Sequence, residues 1–340
     1  MVKIMAERYF EEESKIFAQA LEGLRGKCVV VLGHRRPDGD CIGSQVGLAR
    51  VLNAAGVEAV SVNVDPVPRT LQAFVGDTPF HLPEELPDGD YSAVAVDCAD
   101  HARVGEEVKQ RFPSVCLNID HHISNDCYAE TNLVLPDACA TGEILAGLFL
   151  DNDLTIDPVA AQALYLGIAT DTGQFCYGGT TAKVFGICQR LCEFGANPSA
   201  TAHELYEREK PGRIRLLQRF LSSFRMEYGD RVCIGSLNET SYAETGTTSE
   251  DAENFVDYAR SIEGVDLGCL LEERNGQLKG SFRAKDSRYR VDKLAKQFSG
   301  GGHACAAGFN QERKLEDFYP ELVSAIGEHL EEVDAGQLDS

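Results

Sequence analysis

Residues 28–56 read CVVVLGHRRPDGDCIGSQVGLARVLNAAG. An unbroken apolar run comes first, then a turn dense in charge, then an amphipathic segment that stops at glycine. CVVVLG lacks any polar alternation, as a strand covered on both faces of a parallel sheet does. CIGSQVGLARVLNAAG repeats apolar residues at helical spacing, and Gly56 is placed as its C-cap. The same unit recurs through the first half of the chain. Further strands are expected at 57–62, 92–97, 115–120 and 132–135. Further helices are expected in ATGEILAGLFLDN, PVAAQALYLGIAT and TAKVFGICQRLCEFG. Strands alternating with helices predict an α/β domain, a doubly wound parallel sheet with helices on both faces.

The character changes after about residue 200. SATAHELYEREKPGRIRLLQRFLSSF is polar and helical, is interrupted at Pro211-Gly212, and predicts a connecting helix pair. RVCIGSL, VDLGCLLEER and LKGSFRAK predict antiparallel strands, the last two joined by an Asn275-Gly276 hairpin turn. With the helices AENFVDYARSI and VDKLAKQF they make a smaller α+β domain with a mixed sheet. The expected layout is a catalytic domain over 1–200, a helical linker over 201–229 and a second domain over 230–335. EEVDAGQLDS is expected as a frayed tail.

The 340 residues suit two domains, and 43% hydrophobic with 25% charged residues is an ordinary globular balance. No run of eighteen apolar residues exists, so no membrane span is expected. MVKIMAERYFEEESKIFAQALEGLRG lacks the apolar stretch and cleavage site of a signal peptide, and reads as a surface helix of a cytoplasmic protein. The formal charge of -22 disfavours a nonspecific binder of long polyanions, whose affinity comes from released counterions. The twelve cysteines form no C-x-x-C pair and sit mostly in apolar runs, which predicts reduced thiols and no structural zinc.

Acids and histidines gather where strands or helices end. GHRRPDGDCIGS offers His34, Asp38 and Asp40. Asp97 closes YSAVAVD, Asp120, His121 and His122 close VCLNI, and Asp171 follows ALYLGIAT. Ligands of open parallel sheets bind beyond the carboxyl ends of the strands, so all four points can meet in one crevice. Alone, a D-G-D is a turn, a strand-ending Asp is a helix cap, and an H-H pair is a surface pair. A calcium loop counted from Asp38 fails, because its twelfth position is Ala49 and not glutamate. Carboxylates with imidazoles and no thiolate suit manganese, magnesium or iron, and five acids with three imidazoles suffice for two metals sharing a carboxylate.

The second half contains SGGGHACAAG. Gly300 alone would stop the preceding helix, but three consecutive glycines let backbone N–H groups approach an anion, and His303 adds a donor. Lys279, Arg283, Lys285, Arg288, Arg290, Lys293 and Lys296 crowd the strand and helix just before it, either as a solvated basic face or as a phosphate-facing wall. Outside 279–303 no stretch stands out as basic.

GHRRPDGDCIGS, AVDCAD, IDHHISND and ATDTGQF resemble motifs I to IV of the DHH phosphoesterases, and SFRAK with SGGGHACAAG resembles their DHHA1 domain. The order spans nearly the whole chain and is closest to the NrnA-type branch of oligoribonucleases and pAp phosphatases, relatives of RecJ often labelled exopolyphosphatase-related. The resemblance implies an active site in an interdomain cleft. It implies one metal on His34, Asp38 and Asp97 and a second on Asp40, Asp97, His121 and Asp171, with Asp97 bridging. Asp120 would orient His121, and His122 would face the scissile phosphate. Arg283, Gly300, Gly301, Gly302 and His303 would bind substrate. Two divalent ions are implied, manganese first, with magnesium or cobalt as substitutes. Substrates would be short oligoribonucleotides, giving nucleoside 5'-monophosphates, or pAp, giving AMP and phosphate. Long duplexes and membranes are not expected partners, and a homodimer is compatible with the reading. The alternatives are an exopolyphosphatase or pyrophosphatase, a phosphodiesterase of linear dinucleotides (pNpN), and a catalytically silent nucleotide sensor. Asp100 and Arg103 receive no role. His81, His101, His203 and His329 are expected to be structural or exposed.

Overall fold

A computed structural model describes residues 8–274 and 276–336. The chain divides into two compact units, Met1–Arg208 and Glu209–Ser340. Each is an α/β body with its own six-stranded sheet. Among the described residues, no helix is long and apolar enough to cross a membrane.

In the first unit the strands are β1 (Cys28–Leu32), β2 (Glu58–Val62), β3 (Phe80–His81), β4 (Tyr91–Val96), β5 (Leu117–Asp120) and β6 (Thr131–Val134). They pair in the order β3-β2-β1-β4-β5-β6, parallel throughout. The helices are α1 (Glu11–Leu24), α2 (Gly39–Ala54), α3 (Glu106–Arg111), α4 (Thr141–Asp151), α5 (Pro158–Asp171), α6 (Ala182–Glu193) and α7 (Pro198–Tyr206). Alternate residues of each strand enter different cores. Val29, Val31, Val94 and Val96 join the helical layer of α1, α2 and α4–α6. Val30, Leu32, Ala93 and Ala95 join Val104, Val108 and Phe112 on the other face. Burial on both faces is why these strands read as continuous apolar runs. The doubly wound expectation holds, and only the two-residue edge strand β3 had too little sequence to announce itself.

The order reverses between β1 and β4. Chain leaving β1 turns one way and chain leaving β4 the other, which opens a crevice at their carboxyl ends. The segments that carry His34 and Asp97 leave the sheet there.

Helix α2 crosses α5 closely because of glycines spaced four apart. A Cβ on Gly39 would lie 2.5 Å from the Thr170 side chain, one on Gly43 2.3 Å from the Ala163 carbonyl oxygen, and one on Gly47 2.6 Å from Leu164. Gly167 returns the arrangement from α5, its added Cβ falling 2.5 Å from Asp40 Oδ1. The contact runs antiparallel, so the N-terminus of α2 meets the C-terminus of α5. Asp40 and Asp171 are thereby brought together.

The second unit contains α8 (Pro211–Ser222), β7 (Arg225–Glu227), β8 (Val232–Asn238), α9 (Glu239–Thr245), α10 (Val256–Ser261), β9 (Leu267–Arg274), β10 (Gln277–Ala284), α11 (Val291–Gln297), β11 (Gly301–His303), β12 (Ala306–Gln311) and α12 (Leu315–Asp334). The sheet order is β11-β12-β10-β9-β8-β7. The sheet is mixed, as expected, but β8 and β9 run parallel and not antiparallel. The reason lies in the connection: helices α9 and α10 fill it, and a helical crossover returns a strand in the same direction. Strands β9 and β10 form the expected hairpin, with Gln277 opposite Arg274, although Asn275 itself lies outside the described residues. The expected frayed tail is overturned as far as Asp334, where α12 ends. Arg231 grips the Asp334 carboxylate with both terminal nitrogens, at 2.7 and 2.9 Å. Residues 1–7 of the expected N-terminal helix and 337–340 of the expected tail lie outside the described residues. All twelve cysteines are free thiols.

Gly43→Ala should lower stability by about 1–3 kcal/mol, because the Ala163 backbone cannot yield as a side chain can. Gly23→Ala in α1, where nothing lies within 4 Å of an added Cβ, should be neutral or stabilise by up to about 1 kcal/mol. Urea unfolding of both variants measures the contrast, and equal midpoints would remove the glycine contact from the account.

Candidate functional site

The segment after β1 folds as a turn into α2, and Asp38 is the N-cap. Its Oδ1 accepts from Cys41 N at 3.0 Å. Its Oδ2 lies 3.7 Å from His34 Nε2. One carboxylate thus serves as a cap and as a candidate ligand. Asp40 is fully buried in the first turn of α2. It accepts from Thr141 N at 2.6 Å and Gly142 N at 2.8 Å, the first amides of α4.

Asp97 follows β4 in the left-handed region, with φ 54°. A non-glycine residue pays for that conformation unless its surroundings hold it, and such residues concentrate at functional sites. Here Asp97 N donates to Ile119 O at 3.0 Å, and Thr141 Oγ1 donates to Asp97 Oδ1 at 3.1 Å. The two carboxylate oxygens then face different histidines. Oδ2 lies 3.5 Å from His34 Nε2, and Oδ1 lies 3.6 Å from His121 Nε2. His121 Nε2 is also 3.4 Å from Asp171 Oδ2 and 4.0 Å from Asp40 Oδ2. A cation with bonds of about 2.1 Å sets neighbouring donors about 3.0 Å apart and opposite donors about 4.2 Å apart. The observed spacings fall within that range.

The imidazoles divide by what holds Nδ1. His34 Nδ1 donates to Arg35 O at 2.8 Å, and His121 Nδ1 faces Ala138 O at 3.4 Å. Both leave Nε2 directed at carboxylates, the arrangement a metal-ligating histidine needs. His122 differs in its partner: its Nδ1 donates to a carboxylate, Asp120 Oδ1, at 2.7 Å. Asp120 therefore does not orient the His121 ring as expected. It accepts from the His121 backbone N at 2.9 Å and steers the His122 ring, because β5 ends at Asp120 and the turn brings the second histidine back over it. Asn125 Nδ2 holds the other oxygen of Asp120 at 2.6 Å. Thr141, Gly142 and Asn125 were not legible as site residues in the sequence, since backbone amides and a loop amide carry no motif of their own.

The electrostatics call for positive charge. Burial, then the charges of Asp97, Asp171 and Asp38, push Asp40 well above the usual carboxylate range. Burial and then Asp97 and Asp38 push Asp171 up to about 8. Burial works against a charged His34, yet the carboxylates of Asp38 and Asp97, accepting from its ring, hold it firmly toward imidazolium. Four carboxylates so close cannot all ionise without a cation among them. The residues fit a divalent metal.

The other singled-out residues have structural places. Asp100 accepts from Ala102 N at 2.7 Å and caps a short 3-10 turn. His101 is half-buried and stacks on Tyr128, with ring centroids 5.3 Å apart. His203 pairs with Glu207 on the surface. His329 is buried, its Nε2 against Tyr289 O at 2.5 Å.

In the second unit, α11 ends in a Schellman turn. Gly300 N donates to Ala295 O at 2.9 Å and Ser299 N to Lys296 O at 3.1 Å. Ser299, with φ 59°, takes the left-handed position. The Gly300 amide is therefore spent on the helix and is not open to an anion. Added Cβ atoms on Gly300 and Gly302 would lie 2.2 Å from Gly308 O and 2.4 Å from Ala306 O, so β12 explains both glycines. Gly301 has open space. Register places His303 opposite Ala306, and Ala306 opposite Arg283. Gly301, Gly308 and Ser281 make the next row on the same face. A shallow trough of small residues results, with His303 and Arg283 along one side. The broader basic wall is mostly neutralised: Lys279 pairs with Glu272 at 3.2 Å, Arg290 with Asp292 at 2.8 Å, and Lys285 donates to Ile262 O at 2.6 Å. Among the described residues, no carboxylate pairs with Arg283.

With Asp171 raised to about 8 and an unfolded value near 4, the folded chain keeps this proton to higher pH than the unfolded chain does. Ionising Asp171 then works against folding: the effect is absent below about pH 4, grows between about pH 4 and 8, and is constant above. Metal-stripped wild type should lose urea stability relative to Asp171→Asn across that window, and saturating manganese should reverse the loss. Parallel pH curves for the two proteins would refute the account.

Comparisons with known proteins give the family. The model of the DHH family, N-terminal domain, matches residues 28–168, and that of the DHHA1 domain matches residues 229–332. The chain is 31% identical over 325 residues to the bifunctional oligoribonuclease and PAP phosphatase NrnA of Thermus thermophilus, covering 95% of this chain and 96% of that one. It is 26% identical over 285 residues to the Bacillus subtilis protein of the same name, covering 82% and 88%. The fold matches the crystal structure of an exopolyphosphatase-related protein from Bacteroides fragilis with a TM-score of 0.84 at 23% identity, covering 98% and 100%. The chain belongs to the DHH family, with a DHH domain followed by a DHHA1 domain.

Proposed function

We propose that this chain is a two-metal phosphoesterase that hydrolyses short oligoribonucleotides to nucleoside 5'-monophosphates and pAp to AMP and phosphate. The observation that carries the reading is Asp97, one carboxylate with one oxygen toward His34 and the other toward His121. His34, Asp38 and Asp97 would hold one divalent ion, and Asp40, Asp97, His121 and Asp171 the other, manganese in the first instance. Such ions supply a lowered water pKa and the positive charge that phosphoryl transfer requires.

The chain's own residues supply the rest. Water adds to phosphorus as the bond from phosphorus to the leaving oxygen breaks, and that oxygen must gain a proton. Asp120 holds Nδ1 of His122 and, first among causes, raises its pKa, so His122 stays protonated to higher pH. Its Nε2 has no protein partner among the described residues, and it is the proton donor for the leaving side. The trough of Arg283, Gly301 and His303 binds the non-reacting end of the substrate. Relatives named oligoribonuclease and PAP phosphatase support this substrate class. A pyrophosphatase or exopolyphosphatase would share the metal centre but has no need of a trough for a nucleotide's far end.

The deciding assay incubates the protein and manganese with pAp, a dinucleotide, a twenty-nucleotide strand, a cyclic dinucleotide and pyrophosphate. The first two should be fastest. Rates should fall steeply from two to five nucleotides down to little at about twenty, because a site that holds only a few phosphates gains little counterion release. Equal cleavage of the long strand at matched end concentration would favour a processive nuclease, and faster pyrophosphate turnover a pyrophosphatase.

Asp97→Ala should cost at least about 100-fold in kcat, and retention of a tenth of the wild-type rate would sink the shared-carboxylate assignment. His122→Ala should keep both metals by elemental analysis while kcat falls about 10²–10⁴-fold; loss of metal would make it a ligand. Arg283→Ala and His303→Ala should raise KM on short substrates and leave metal content unchanged.

A further inference from the structure

Helix α8 carries a feature that neither the metal centre nor the trough uses. Residues 210–225 contain Lys210, Arg213, Arg215, Arg219 and Arg225 and no acid, within a chain of net charge -22. The expectation that no stretch outside 279–303 is basic is thus corrected. Acids on both flanks, Glu207 and Glu209 before and Glu227 after, mask the run in any wider window.

The helix divides by spacing. Leu216 and Phe220 are buried in the second unit's core. Arg215, Gln218, Arg219 and Ser222, at i, i+3, i+4 and i+7, form another stripe that lines a groove of about 900 Å³. The other wall is the outer edge of β8. Strand β7 pairs only with Val232–Ile234, so β8 has no strand beside it beyond that point, and Ser236 and Asn238 line the groove there. Arg225 lies over the Tyr319 ring at 4.7 Å, and Glu273 and Glu316 also line the groove.

Most of the donors on this groove are uncommitted. Arg219 is held by Glu244. Among the described residues, Arg215, Gln218 and Ser222 have no side-chain hydrogen bond or ion pair, and Arg225 has no carboxylate partner. The volume is that of a small-ligand site, about 300–1,000 Å³, but the walls are polar where such sites are mostly apolar. The ligand must therefore bring charge and hydrogen-bonding groups of its own. A guanidinium binds phosphate through paired N–H groups, and carboxylates accept from sugar hydroxyls and exocyclic amines.

We propose that this groove is a second nucleotide site, taking a ribonucleoside phosphate with its phosphate on Arg215 and Arg225 and its sugar and base toward Glu273 and Glu316. No residue of the trough lines the groove. The nucleotide is either free or one unit of an oligonucleotide.

Isothermal titration of the full chain tests this, with AMP and with a 2'-O-methyl phosphorothioate pentanucleotide as probes. Wild type should bind two equivalents of at least one probe. Arg215→Ala/Arg225→Ala should lose one equivalent, or bind it at least tenfold more weakly, while kcat and KM for pAp stay within twofold. Ser236→Val, which leaves the charges in place, should weaken the same equivalent and guards against misfolding of the double variant. A second equivalent of AMP identifies a free nucleotide as ligand, and a second equivalent of the pentanucleotide alone identifies an RNA segment. The same number of equivalents in wild type and in the arginine variant, at affinities within tenfold, overturns the proposal. The titration reads binding and not turnover, so it stands whether or not the hydrolytic reading does.

Discussion

Negative charge packed into a small buried volume is the constraint on which the first unit turns. Asp38, Asp40, Asp97 and Asp171 converge where the sheet order reverses, and Asp40 and Asp97 are almost entirely out of water. Such a cluster is unstable by itself. The protein shares the cost in three ways: backbone amides of α4 bind Asp40, imidazolium character is forced on His34, and protons are held on Asp40 and Asp171 beyond the usual range. Each is a partial substitute for a cation. The arrangement trades stability for a strong, rigid binding field, a trade common at functional sites.

That field depends on helix packing. A carboxylate at the start of α2 meets one at the end of α5 only if the two helix axes come unusually close, and Gly39, Gly43, Gly47 and Gly167 remove the side chains that would prevent it. Asp40 then fills the space above Gly167. The rigidity extends to Asp97, whose left-handed backbone is pinned by β5 on one side and by Thr141 on the other. The carboxylate that faces both histidines is thus set by the sheet, α4 and its own backbone together.

The sequence made most of this readable, for reasons specific to each element. Strands β1 and β4 were the most legible because burial on both faces leaves apolar runs, and the candidate ligands because strand ends in a parallel sheet converge. What escaped was pairing partners and small contacts. That β8 runs parallel to β9 depends on the crossover between them, and the runs alone do not carry direction. The four-residue glycine spacing of α2 was visible, but read as helix composition it did not disclose which helix it faces. The glycines at 300 and 302 were legible as special and misread in purpose, since close approach of another strand and close approach of an anion ask for the same residue. Asp120 was assigned to the wrong ring because one bond rotation in a turn decides between adjacent histidines.

Those two histidines show how one motif separates two tasks. Neighbours in sequence, His121 and His122 differ in what holds Nδ1: a backbone carbonyl for the first, a buried carboxylate for the second. A carbonyl fixes the tautomer and adds no charge, which leaves Nε2 to carry the lone pair that a cation needs. A carboxylate fixes the same tautomer and raises the pKa of the His122 ring. On the proposed roles, the first ring faces the metals and the second the leaving group, a division of labour that one histidine could not make.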